Sequence, residues 1–266
     1  MSFNADTLWQ QQEESYQKLL SLHHQDAVSA YGLEKLQQAL RMAGMKIFIG
    51  CMDPRVQMRD GEKKIAIAGS GILLSKEKLG AFIKLLEEAG VKVEGVTYHE
   101  DCGACAVYCS LPSPNLSSET EGKDFAQSLV IKFGLPGEPL RVGFGETDPI
   151  HMEGDPHFMH ARSIVIDCTG RFSARDLGLP AAFEISAKYI GAEEATKELR
   201  IALSLISGRR GMGPERFREA PLALVIVVDP RNLSVSEEVE KTIASLVEEY
   251  KELVTLVHLR PPVAAF

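Results

Sequence analysis

Leu222 to Val228 is an unbroken run of seven apolar residues. A run this short and without alternation suits a strand covered on both faces, the kind found in parallel sheets with helices packed against them. Other segments read the same way. Ile47–Ile49 is closed by Gly50, and Lys64–Ala68, Val91–Tyr98, Ser163–Ile166 and Leu253–Leu259 follow, the last halted by Pro261-Pro262. Helical periodicity lies between them. One helix opens at Ser75 or Lys76, presents Leu79, Phe82, Ile83, Leu85 and Leu86, and ends at Gly90. A helical region begins over Phe183–Ile190, and Glu193–Ser207 buries Ala195, Leu199, Ala202, Leu203 and Ile206. A last helix, capped by Ser234 or Ser236, runs to about Lys251. Strands alternating with helices define an α/β protein with a mainly parallel central β-sheet flanked by helices.

The 266 residues are expected to form a single α/β domain with two appendages. The first is an N-terminal helical arm, about 1–44, with one amphipathic helix over 5–22, capped by Asp6 or Thr7, and another over Leu33–Met42. The second is an irregular insert, about 110–160, with a helix expected over Phe125–Phe133 and a stretch dense in Gly and Pro over Gly134–Pro156; it carries His151, His157 and His160. Those histidines read either as exposed loop residues or as a second metal site. No internal repeat is evident.

Two strand ends carry metal-ligand residues. Cys51 leaves the first strand, and His99 leaves the third with Cys102 three residues on. In open α/β sheets, ligands gather outside the carboxyl ends of strands, so adjacent strands would bring Cys51, His99 and Cys102 to one point. Two thiolates and an imidazole suit zinc, and three protein donors leave a fourth position for water or substrate. Asp53 and Arg55 stand beside Cys51 as a carboxylate–guanidinium pair, suited to a bidentate contact next to a metal. Gly69-Ser70-Gly71, after the second strand, reads either as a possible substrate pocket whose backbone N–H groups meet a small anion or as a plain tight turn. Cys102, Cys105 and Cys109 share one helical face, which admits an all-thiolate cluster. The plainer reading, with Cys105, Cys109 and Cys168 as small packed residues, leaves Asp53 and Arg55 a role.

Cys51-Met52-Asp53-Pro54-Arg55 followed by His99-Glu100-Asp101-Cys102-Gly103 resembles the β-class carbonic anhydrases. The resemblance covers roughly 45–109. It implies a β-carbonic-anhydrase-like fold with zinc on Cys51, His99 and Cys102, and Asp53 and Arg55 as the catalytic dyad. The activity implied is that of a zinc lyase, the hydration of carbon dioxide to bicarbonate, in a homodimer or higher even oligomer whose N-terminal helices lie across the partner. The chain departs from the family where an Arg-Asn-Ala-Gly-like turn is usual, reading Ala66-Ile67-Ala68-Gly69 instead. Pro54 stands inside the dyad motif, and the chain beyond Cys102 is longer than the family core needs. Two alternatives follow from these departures: a hydrolase of carbonyl sulfide or carbon disulfide on the same zinc site, and a non-catalytic zinc-binding protein of the same fold.

The net charge of −8, with no basic tract, argues against nucleic acid as a partner, and the resemblance implies a small-molecule substrate. The start Met1-Ser2-Phe3-Asn4 lacks a secretory pattern, and no apolar run is long enough for a membrane span, so a cytoplasmic protein is expected. Five cysteines are an odd number for a disulfide framework. The glycines of 208–213 neither follow a strand nor open a helix as a nucleotide fingerprint requires.

Overall fold

The computed structural model describes residues 5–109, 116–142, 161–179, 182–208 and 213–266. The chain divides into two compact units, Met42–Thr147 and Met1–Arg41 with Asp148–Phe266. It is an α/β protein with two four-stranded sheets in place of one central sheet. Four helices come first and belong to the second unit: α1 (Ala5–Gln11), α2 (Glu13–Ser21), α3 (Ala27–Tyr31) and α4 (Leu33–Leu40). The single helix expected over 5–22 is thus two, parted at Gln12.

The Met42–Thr147 unit holds β1 (Lys46–Cys51), β2 (Glu62–Ile67), α5 (Lys76–Glu88), β3 (Val93–Tyr98), α6 (Gly103–Tyr108), α7 (Leu116–Phe133) and β4 (Leu140–Arg141). The strands are all parallel, in the order β2-β1-β3-β4. Ile47 and Ile49 of β1, Ile65 and Ile67 of β2 and Val96 of β3 are buried, as expected for strands with helices against them. The Ser75 hydroxyl accepts a hydrogen bond from the Lys78 N–H at 3.2 Å and so caps α5. Its buried side chains are Leu79, Phe82, Ile83 and Leu86, while Leu85 faces solvent. The chain leaves β1 for β2 on one side, then returns through α5 to β3 on the other. This reversal makes the carboxyl ends of β1 and β3 the place where a ligand crevice opens. In the insert, the helix expected over Phe125–Phe133 begins earlier, at Leu116, as α7, and β4 follows it, while His151, His157 and His160 lie outside the described residues.

The second unit continues with β5 (Ser163–Asp167), β6 (Ala182–Ile185), α8 (Ala187–Ser207), α9 (Pro214–Glu219), β7 (Leu222–Val227), α10 (Ser234–Glu249) and β8 (Val254–Leu259). Its order is β6-β5-β7-β8, again all parallel. Every residue of β5 and β7 is buried. Phe183, expected to open a helix, lies instead in β6, whose backbone groups are satisfied by β5. The helix starts at Ala187 and breaks stride at Gly191, where φ is +79°. Neither Ser234 nor Ser236 caps α10; Leu233 holds that position, and the Asn232 side chain accepts from the Ser234 N–H. The N-terminal helices pack on this unit's own sheet: Tyr16, Leu19, Leu36 and Leu40 join Val165, Val225 and Val257 in one core. The Tyr16 hydroxyl donates to the Pro221 carbonyl at 2.6 Å.

Both units therefore run strand, strand, helix, strand, helix, strand, apart from short extra helices, and both place the first strand second in the sheet. The sequence shows no repeat, yet the topology does. No helix among the described residues is long and apolar enough to cross a membrane.

Candidate metal centre

Cys51 is the last residue of β1, His99 follows directly on β3, and Cys102 is the residue that opens α6. The switch point between β1 and β3 thus joins three donors that the sequence separates. Their ligand atoms lie within 4.8 Å of one another and all three residues are buried; among the described residues no other such group of His, Cys, Asp or Glu occurs. A tetrahedral site with metal–sulfur bonds near 2.3 Å and a metal–nitrogen bond near 2.1 Å needs donor separations of about 3.5–3.8 Å. Small side-chain adjustments therefore close this group around one cation.

The surroundings suit that role. Nδ1 of His99 lies 2.7 Å from the Glu100 carbonyl oxygen. A carbonyl only accepts, so Nδ1 carries the proton and Nε2 presents its lone pair as a ligand. The Gly69 N–H donates to Cys51 Sγ at 3.3 Å, a contact that favours thiolate. Without a cation, the adjacent Cys102 thiol and then burial push the Cys51 thiol well up. Cys102 is likewise raised, first by the thiol of Cys105. A cation that takes both sulfurs as thiolates replaces these unfavourable contacts with bonds.

Beside the ligands, Asp53 and Arg55 form a buried bidentate pair. Nε of Arg55 donates to Oδ1 at 3.0 Å and Nη2 to Oδ2 at 2.7 Å, with the Arg55 backbone N–H adding a third bond to Oδ1 at 2.9 Å. Burial alone would raise the Asp53 carboxyl, but the Arg55 guanidinium holds it well below the usual carboxylate range. Arg55 is only 1% exposed and also meets Asp101, donating from Nη1 to Oδ2 and from Nη2 to the backbone carbonyl, both at 3.3 Å.

The loops are held in backbone shapes that few residues adopt. Gly69, Ser70 and Asp101 have φ of +54°, +57° and +53°. A Cβ on Gly69 would stand 2.7 Å from Ile72 and 2.9 Å from Ala104, so both conformation and space demand glycine there. The Gly69 N–H meets the Cys51 sulfur, the Ser70 hydroxyl donates to the Thr97 carbonyl at 2.7 Å, and Gly71 packs against Ile67 and Leu79. Lys64 ties the Cys51–Val56 loop together by donating from Nζ to the carbonyls of Cys51, Asp53 and Val56 at 2.9–3.2 Å. Sequence reasoning gave neither Lys64 nor Asp101 a task. Asp101 stood in the motif, but a lysine within a strand carries no signal that its side chain doubles back on the preceding loop.

Cys105 is buried behind Cys102, and Cys109 is half-buried at the end of α6. Cys168 is buried after β5, in the other unit. Compared with family models, with characterised proteins and with solved structures, the chain matches none.

Proposed function

We propose that Cys51, His99 and Cys102 hold one zinc ion and that the protein hydrates carbon dioxide to bicarbonate. One observation carries this reading: two thiols and an imidazole converge within 4.8 Å, with the buried Asp53–Arg55 pair close by on the same loop. A purely structural zinc has little use for a buried carboxylate locked by an arginine. Zinc supplies Lewis acidity that turns water into a nucleophile near neutral pH. The chain's own residues do the rest. Oδ1 of Asp53 already accepts two hydrogen bonds and Oδ2 one, so Oδ2 keeps an acceptor site. With the metal bound, Oδ2 would accept a hydrogen bond from the attacking O–H and so orient it toward the substrate carbon. Arg55 keeps Asp53 ionised and, by bonding both of its oxygens, would hold it from ligating the metal. Burial of all five side chains excludes bulk water and favours a small linear electrophile.

Stopped-flow measurement of carbon dioxide hydration by zinc-loaded protein, between roughly pH 6 and 9 around a zinc–water pKa of about 7, tests this. Catalysis above the buffer rate, lost in Asp53→Ala, is expected. Turnover of carbonyl sulfide or carbon disulfide alone would assign the site to the related hydrolysis. No turnover of any of these gases would leave a metal-binding protein. The proposal carries two further parts. The chain pairs as a homodimer or higher even oligomer, as soluble oligomers commonly do, and a monomer in sedimentation at micromolar concentration contradicts this. It works in the cytoplasm, where the free thiols stay reduced; recovery in an oxidising compartment contradicts that.

A further inference from the structure

We infer that Lys64 is a positioning residue of the centre: its ammonium fixes where the Asp53 carboxylate stands beside the metal. The inference rests on the reading of Cys51, His99 and Cys102 as a metal site with Asp53 as the acceptor next to it. Asp53 and Arg55 hold each other through three hydrogen bonds. Those bonds shape the pair, and contacts from outside place it. Asp101 takes Arg55 by its side chain, at Nη1 and Nη2. Lys64, on the neighbouring strand β2, takes the backbone. Its Nζ donates to the carbonyls of Cys51 at 3.0 Å, Asp53 at 3.2 Å and Val56 at 2.9 Å. The three acceptors belong to a ligand residue, to the carboxylate residue and to the residue just past Arg55. One point charge therefore ties the dyad loop to the strand end that carries Cys51.

The sheet leaves a lane for this lysine. Lys64 pairs with Phe48, and Ala66 with Gly50, so the Lys64 stem shares a face with Gly50 and runs past it toward the strand ends. A Cβ on Gly50 would stand 3.0 Å from Lys64 Cβ and 3.4 Å from Lys64 Cδ. The φ of Gly50 is not positive, so glycine is there for space and not for conformation. The chemistry of the side chain also fits. Three ammonium hydrogens radiate from one atom and meet carbonyls that converge on it, whereas a planar guanidinium aims its donors at separated oxygens. Cys51 is held by its pairing in β1 and keeps its place without the lysine. The acceptors at Asp53 and Val56 bracket the dyad, so loss of the ammonium frees the dyad before it frees a ligand.

Lys64→Met keeps the stem and removes the ammonium. The full-length variant should still hold one zinc by elemental analysis. Its kcat for carbon dioxide should fall about a hundredfold with KM unchanged, since misplacement by about 1 Å costs roughly that much. Cobalt(II) in place of zinc gives a readout that needs no turnover, because its visible absorption reports the groups at and beside the open position. The cobalt spectrum of Lys64→Met should differ from that of wild type. The difference should vanish when both proteins also carry Asp53→Ala, because Lys64 acts through Asp53. An unchanged spectrum, a difference that persists in the Asp53→Ala background, loss of the metal, or an unchanged kcat in an active protein overturns the inference. A wild type without turnover but with the expected cobalt pattern refutes carbon dioxide hydration and upholds the role of Lys64. If circular dichroism shows that Lys64→Met does not fold, Lys64→Arg decides. It keeps the charge, but its fork cannot meet three converging carbonyls. A spectral change that depends on Asp53 supports the inference, and a wild-type spectrum rejects it.

Discussion

Arg55, buried between the carboxylates of Asp53 and Asp101, makes the sharpest demands at the scale of single residues. Removing one partner of a buried ion pair leaves an uncompensated charge and typically costs about 3–5 kcal/mol. Arg55→Ala should therefore lower the unfolding free energy by about that much, read by denaturant titration, and also abolish turnover. Asp53→Ala should retain zinc by elemental analysis yet lose activity, because in the proposed mechanism Asp53 orients the nucleophile and does not hold the metal. The two activity defects should be non-additive, since the residues act as one unit. Cys102→Ala should lose the metal itself. Asp229 and Arg231, in the other unit, repeat the bidentate geometry, with Nε to Oδ1 at 2.9 Å and Nη2 to Oδ2 at 2.8 Å. Burial would raise the Asp229 carboxyl, but Arg231 holds it below its ordinary value of 3.8. A depressed carboxyl stabilises the fold above its unfolded pKa and loses that contribution as pH falls through the folded one. The stability advantage of wild type over Asp229→Asn should therefore shrink as pH falls below 3.8, and an advantage independent of pH would contradict the pairing.

Two strand ends and one strand-to-helix turn assemble the centre, and they differ in how far the sequence discloses them. The strands around Ile49 and Val96 and the ligands at their ends were legible, because short β-branched runs closed by Gly50 or followed by His99 carry a local signal. The first half of the helix from Leu116 and the strand at Ala182 were not. Solvent-facing residues dilute the periodicity of α7, and β6 owes its extended form to pairing with β5, a contact no local window contains. The turn after β2 was legible as glycine-rich but not in its purpose, since the Gly69 N–H on Cys51 Sγ depends on strand pairing. Gly69→Ala would force a Cβ into a left-handed backbone and against Ile72 and Ala104. A loss of about 1–3 kcal/mol in unfolding free energy is expected, with weaker retention of metal against a chelator. A variant as stable and as metal-retentive as wild type would show that the turn tolerates a side chain.

At the scale of the whole molecule, one topology occurs twice and only one copy keeps the donors. Counting from the strand ends, Asp167 stands where Cys51 does, Val228 where His99 does, and Arg231 where Cys102 does. None of these is a sulfur or imidazole donor, so one metal per chain is expected by elemental analysis, and two would contradict the assignment. The duplication was invisible in sequence because a parallel sheet needs only short apolar strands at the right spacing, which many unrelated residues satisfy. The account rests on a metal held by three protein donors with one position open. Zinc-edge X-ray absorption on the loaded protein reads this shell directly. Two sulfurs near 2.3 Å and two lighter donors near 2.0–2.1 Å, one from His99 and one from solvent, are predicted at roughly those distances. A shell of three or four sulfurs, drawing in Cys105, or protein that retains no zinc after exhaustive dialysis, would contradict it.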